Sequence, residues 1–477
     1  MQSSGTAPSR DSAPAPDSPA QQPVTLASGS LGLAESTIMG VAGNAPAFSV
    51  AASTATLIAT VGVLSPASLL YCGLIMFGAA LAFRKLNKID PNAGASYAWV
   101  SAIFGPTLGF FAGWSVLIAQ AVFMISGTVP VATATLALTV PHLVADTSAV
   151  AFVAAAWLVV IIAIAIKGIK LASYVQVFLT TIEVAVLAVI VGAALVKFGS
   201  HPAHPFSWSW FALSQFTPGM FAKGALTAVF VFWGWDIALN LNEETKDAGR
   251  IPGYAAIAAV IIAVLLFVGF AVAALLTLTD AEIDTAGTGI VQAVADKLFP
   301  QPWSYIAVIA VMLSTIGTLE ASILGFTRTL YAKSRGGSLH ERYSRLHPQW
   351  QTPWIASLAL LVIGVSLVIG SSYLPTVATI MRDSVNTIGF QASFYYALAC
   401  FACAWSHWHV RREGAIPFLL TVVWPSFSAV FLIFVATYSI PTFDLATNLV
   451  GLGGIAVGVI PLLMHRKRRQ AVLSGTA

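Results

Sequence analysis

The residues most able to do chemistry here form a polar run inside an otherwise apolar stretch. Residues 230–244, FVFWGWDIALNLNEE, carry Asp236, Asn240, Asn242, Glu243 and Glu244 beside a tryptophan-flanked glycine, Trp233-Gly234-Trp235. An ionised side chain at bilayer depth is costly, so it faces a protein interior or a water-filled cavity. Glycine among polar residues permits local unwinding, and the freed backbone groups are tolerable only where they line a cavity. The run therefore reads as a broken helix with its break at a substrate site. The plainer alternative is an ordinary spanning helix whose Asp236 hydrogen-bonds a neighbour. A second interruption is GVAGNAPAF, residues 40–48, where Gly40, Gly43, Asn44 and Pro46 break an apolar segment. Further charges lie at bilayer depth in Glu183, Glu320, Arg382 and Asp383; the roles of Glu183, Arg382 and Asp383 stay open.

These residues need elements to carry them, and composition says which. The chain has 477 residues, 57% hydrophobic and only 9% charged, with mean hydropathy +0.84. Soluble domains carry about 25% charged residues, so this is a polytopic membrane protein, all-α in class. A net charge of +4 says nothing of nucleic acid, because the basic residues follow topology. At roughly 20 apolar residues per crossing, about twelve spans fit. They fall near 32–57, 63–84, 103–136, 149–167, 171–197, 218–243, 253–278, 303–332, 353–372, 375–404, 415–438 and 443–464.

Lys and Arg cluster after the even-numbered spans, as in Arg84-Lys85, Lys246, Lys333 to Arg345, Arg411-Arg412 and Arg466 to Arg469. The positive-inside rule then puts both termini in the cytoplasm; the location expected is the plasma (inner) membrane. Between spans, 279–302 reads as an amphipathic surface helix. The histidines of HPAHP, His201 and His204, lack further ligands and read as solvated rather than metal-binding. Cys400 and Cys403 read as packing residues. Gly105, Gly109 and Gly113 read as close helix packing.

The interrupted helices are spans one and six. Five spans apart is odd, so two five-span units enter the membrane from opposite sides, an inverted repeat with its breaks meeting near the midplane. The chain divides accordingly: 1–30, a disordered tail by composition; 31–197, the first repeat; 217–405, the second; 413–465, two peripheral helices; and 466–477, a basic tail.

Four segments resemble the amino acid–polyamine–organocation transporters. They are NAGASYAWVSAIFGPTLGFFAGW (92–114), GIKLASYVQ (168–176), GWDIALNLNEE (234–244) with Ile251-Pro252, and RTLYAKSRGGSLHERYSRLHPQWQTP (328–353). The resemblance implies a LeuT-like 5+5 bundle with broken helices 1 and 6 and two peripheral helices, working by alternating access. It puts the substrate against Gly43, Asn44, Ala45, Pro46, Ala47 and Phe48 in span one. In span six it implies Phe230 as an aromatic gate, Phe232, Trp233 and Gly234 as unwound carbonyls, and Asp236. Many relatives have a second glycine where Pro46 stands; proline has no N–H, which weakens the usual carboxylate cradle and leaves Asn44 as a side-chain donor. Lys170 matches a lysine that stands in for sodium in sodium-independent relatives, and it could instead be a snorkelling anchor. Glu320 is the second candidate for proton relay.

The function expected is secondary transport of an amino acid or related amine, proton-coupled and sodium-independent. A polyamine or organic-cation permease and an exchanger are the nearer alternatives; a channel is the more distant one, and it would need filter repeats that are not seen. No GxxxxGK[ST] loop and no paired intramembrane histidines point to an ATP-driven pump or an enzyme. The partners expected are a small-molecule substrate, protons and the lipid bilayer, with no nucleic acid, no cofactor and no metal.

Overall fold

A computed structural model describes residues 25–374 and 376–464. The expected basic tail at 466–477 lies outside the described residues, as does most of the expected N-terminal tail. Among the described residues regular structure is helical, with a single isolated bridge, Leu31 to Thr245.

The order follows the apolar runs. Helices α1 (Leu33–Gly43) and α2 (Pro46–Val61) are separated by Asn44 and Ala45; α3 (Ser65–Ile89) and the short α4 (Ser96–Phe104) lead to α5 (Pro106–Thr139), α6 (Thr147–Ile166) and α7 (Ile169–Phe198). Then come α8 (Pro218–Val231), a five-residue turn, the single turn α9 (Ile237–Asn240) and α10 (Ile251–Thr277). A surface pair, α11 (Asp280–Ala286) and α12 (Ile290–Leu298), precedes α13 (Ile306–Arg335), α14 (Trp354–Ser371) and α15 (Val377–Ser406). Helices α16 (Ala415–Phe418), α17 (Trp424–Ser439) and α18 (Leu445–Val457) close the chain. Ten helical segments among the described residues are long and apolar enough to cross a membrane.

Both expected interruptions are real. Ala45 sits in the left-handed region at φ 48, and Pro46 takes the first position of α2, where a missing N–H costs nothing. In the second break Gly234 has φ 109, a conformation glycine adopts without penalty. The broken pair lies at the centre: α1 packs on α10, α7, α13 and α9, and α2 packs on α8 and α13. The long α5 and α15 lie against each other, and α17 leans on α15 and α3.

The surface pair matches the amphipathic expectation. Thr279 and Glu282 form a capping box at α11, and Ile283, Val291, Val294 and Leu298 turn inward against α2 and α7. Residues 25–30, inside the stretch expected as a tail, are docked. Leu26 is buried with Ala93, Tyr97, Tyr331 and Ala332. The amides of Ser30 and Leu31 donate to the Glu244 carbonyl at 2.8 and 3.1 Å, and Lys246 N–H donates to Leu31 O at 2.8 Å. The low-complexity composition ends just before an apolar residue that has somewhere to bury.

Candidate functional site

The two breaks touch. Gly43 and Gly234 meet backbone to backbone, and a Cβ on either would land on the other's carbonyl. Asn44 Nδ2 donates to Trp233 O at 3.3 Å, and Thr318 Oγ1 of α13 donates to Ala42 O at 2.6 Å. Each break thus has its freed carbonyls met by protein, as a low-dielectric surrounding demands.

The first turn of α2 leaves N–H groups that the helix itself cannot satisfy. Ala45 N–H donates back to Ala42 O, Pro46 has none, and Ser49 N–H closes on Ala45 O at 2.7 Å. Ala47 N–H points at Glu183 Oε2 of α7, 3.5 Å away, and Phe48 N–H donates to Ser314 Oγ of α13 at 3.2 Å. One turn before Glu183 on α7, Thr180 Oγ1 accepts from Gln176 Nε2 at 3.0 Å. Glu183 is 1% exposed. Its carboxyl group is therefore what meets the open first turn of α2, at the Ala47 N–H.

In the second break, Asp236 is fully engaged. Tyr396 donates to Oδ1 at 2.7 Å and Tyr395 to Oδ2 at 3.0 Å. Those hydroxyls accept in turn from Gly234 N–H at 3.3 Å and Trp233 Nε1 at 2.9 Å. The Tyr396 ring stacks on Trp235, with centroids 5.1 Å apart. Both alternatives weighed for Asp236 are partly met: the helix is broken, and the acid bonds neighbours. Phe48, Phe123 and Trp233 form an aromatic row, with Phe123 5.9 Å from Phe48 and 5.5 Å from Trp233. Phe230 and Phe232 are buried, the latter edge-on to Phe267. Two buried polar atoms at the breaks have no partner: Asn44 Oδ1 and Trp235 Nε1.

The space left open beside the breaks is small. A cavity of about 120 Å³ is bordered by Phe48, Ala51, Val129, Pro130 and Met381, and one of about 160 Å³ lies next to it under Thr288 and Gln292. Larger clefts of about 700 and 800 Å³ lie elsewhere, lined by apolar residues such as Trp405, Trp408 and Leu117.

Lys170 does not reach this centre. It is exposed at the first turn of α7, where its carbonyl accepts from Ser173. A lysine in the second position of a helix projects toward the interface rather than along the bundle axis, which is the snorkelling alternative. The acid of α7 that meets the break is Glu183, whose only sequence signal was a charge in an apolar run. Glu320 is buried on α13 with Oε1 unpartnered, and no hydrogen bond among the described residues ties it to either break. Arg382 bridges Asp383 at 3.0 Å and Asp444 at 2.7 Å, at the far ends of α15 and α18.

The rest of the polar run serves the basic end of the bundle. Glu244 and Arg328 form a bidentate pair at 2.7 and 2.9 Å, each 1% exposed at the side chain. Glu243 holds Arg335 and the Ala93 N–H. Asn240 Nδ2 donates to Ala93 O, and Asn242 Nδ2 to Asn87 and Asn92. Lys333, wholly buried, donates to Phe110 O at 2.7 Å with its ammonium over the Phe110 and Tyr97 rings. Tyr395, Tyr396, Ser314 and Arg328 carried no separate signal: a tyrosine, serine or arginine in a span looks alike whether it packs or binds.

The sequence is similar to those of known transporters. The low-affinity putrescine importer PlaP of Escherichia coli K12 is 26% identical over 360 residues, 69% of this chain and 75% of that protein. The serine/threonine exchanger SteT of Bacillus subtilis 168 is 23% identical, over 69% of this chain and 72% of its own. Human Asc-type amino acid transporter 1 is 23% identical, over 74% and 67%. With residues 31–460 matching the family described as amino acid permease, this chain belongs to that family: it is a multi-pass membrane transporter and not an enzyme.

Proposed function

We propose that the chain carries an amino acid or related amine across the plasma membrane by alternating access around the paired breaks. The observation that carries this is the meeting of Gly43 with Gly234 and of Asn44 with Trp233, which joins two broken helices at the middle of the bundle. The twelve-crossing, five-plus-five reading is supported by lengths and neighbours. The segment Leu33–Ile89, 57 residues, has the length of two crossings. Helix α3 packs on α10, α5 on α13, α6 on α14 and α2 on α8, each pair five crossings apart. The basic loops support a cytoplasmic side for both termini.

Among relatives, one is named a putrescine importer and another a serine/threonine exchanger, so both amines and amino acids stand as cargo. The substrate then meets Asn44 to Phe48, Phe230, Trp233 and Gly234 when the cavity at Phe48 enlarges, with Asp236 fixing the second break from behind. Proton coupling is assigned to Glu183, the acid that touches the break, ahead of Glu320 and of Lys170, which is exposed at the start of α7.

Thermal unfolding of the purified chain against a panel of amino acids and amines tests the reading. A ligand of the native state at about 100 times its Kd adds about 2.7 kcal/mol. At least one solute that stabilises the protein and enters proteoliposomes is expected. Failure of the whole panel in both assays refutes it.

A further inference from the structure

We infer, building on the transport reading above, that the site takes an amine without an α-carboxylate rather than an amino acid, because Glu183 already fills the place where a substrate carboxylate would bind. A broken helix offers a carboxylate the unpaired N–H groups at the start of its second half. In this chain none is free. Ala45 and Ser49 N–H stay within the backbone, Pro46 has no N–H, Ala47 N–H faces Glu183, and Phe48 N–H is spent on Ser314. Asn44 is no substitute for that cradle: one Nδ2 hydrogen is held by Trp233 O, which leaves a single side-chain hydrogen in place of a set of backbone donors.

What remains at the centre suits a cation. Asn44 Oδ1 is a buried acceptor with no partner, and Phe48 and Trp233, one from each break, are joined through Phe123 in an aromatic row. An ammonium gains from aromatic faces and from lone pairs alike. The charges agree: Glu183 and Asp236 are buried at the breaks. The two buried cationic side chains among the described residues, Arg328 and Lys333, are engaged at the basic end by Glu244 and by Phe110 O. A zwitterion would bring a second carboxyl group to the place that Glu183 fills; an amine brings none.

Matched pairs that differ by one carboxylate decide the matter: putrescine against ornithine, cadaverine against lysine, phenethylamine against phenylalanine. Each is titrated against the purified full-length chain by thermal shift, and each competes for uptake of the best labelled member in proteoliposomes. The amine of the preferred pair is expected to half-saturate at a concentration at least about tenfold lower than its amino acid. An amino acid that binds as well as its amine overturns the inference while leaving transport intact; silence of all six, together with the wider panel, removes transport as well. In Glu183→Gln the gap within the preferred pair is expected to narrow at least about threefold. An unchanged gap in folded Glu183→Gln overturns the role given to that acid. Should that variant not fold, Ser314→Ala, which frees the Phe48 N–H for a substrate carboxylate, must narrow the gap in the same direction or the occupied-cradle argument falls.

Discussion

At the scale of single residues, the contact between the breaks leaves no room for a methyl group. Gly43 and Gly234 each present a hydrogen where the other has its carbonyl, and Gly234 also needs φ 109. Gly43→Ala and Gly234→Ala are expected to reduce initial uptake at least about tenfold, whereas Gly192→Ala, which meets open space, keeps it. Wild-type uptake by Gly234→Ala would mean that the breaks do not need to touch. Asp236 offers a second test. Replacing Tyr396 with Phe keeps the ring on Trp235 but removes one donor from a buried acid, at a cost of about 1–3 kcal/mol. Tyr396→Phe should therefore unfold at lower temperature than wild type, and Tyr396→Phe with Asp236→Leu should lose less than the two single changes added together. Strict additivity would show that the pair does not interact.

The same scale shows what could be read in advance. Glycines, a proline and a carboxylate mark a break because each changes the local backbone or its solvation, and those marks sit in sequence where the breaks sit in space. Lys170 and Glu183 mark the limit. Both are charges on α7, and which of them meets the break depends on where α7 lies beside α2, a tertiary fact with no local signature. Tyr395 and Tyr396 were equally silent, because their partner Asp236 is far away in the chain.

Among elements, the spans were legible because crossing a bilayer imposes length and apolarity, whereas the closure of the basic end was not. It is made by pairs remote in sequence: Arg328 with Glu244, Arg335 with Glu243, and residues 25–31 with the Glu244 to Lys246 backbone. Breaking a buried pair by removing one partner costs about 3–5 kcal/mol, since the other charge is left bare. Arg328→Met alone is thus expected to lower the unfolding midpoint sharply, and Arg328→Met with Glu244→Gln to recover part of the loss; no recovery would mean that the arginine acts through other contacts. The docked N-terminal stretch should respond separately. Leu26→Asp puts a carboxylate among Ala93, Tyr97, Tyr331 and Ala332. Amide hydrogen exchange of the peptide over 241–250 should then quicken, because the Lys246 N–H loses its acceptor when Leu31 departs; an unchanged rate would show that residues 25–31 do not seal that end.

For the whole molecule, the question is what drives transport, and the answer turns on which charged group moves with the break. A fixed ammonium at the centre would have argued against sodium, but Lys170 is exposed at the start of α7 and cannot repel a cation there. Glu183 gives a different argument. The neighbour that the structure sets against it is a donor, the Ala47 N–H, and the Ser314 hydroxyl on the next amide and the Thr180 hydroxyl one turn back each already accept one bond, from Phe48 and Gln176. A hard metal cation needs a shell of oxygen lone pairs, whereas a proton needs one carboxylate oxygen. When α2 shifts against α7 and α13 to change the exposed side, these bonds must loosen, and the carboxylate then takes or yields a proton. Uptake into proteoliposomes should accelerate under an inward proton gradient and ignore a sodium gradient. Glu183→Gln should still carry substrate down its own gradient but lose the proton response, and Lys170→Ala should keep it. Strict sodium dependence of the wild type would sink the assignment, and so would a Glu183→Gln protein that answers the proton gradient in full.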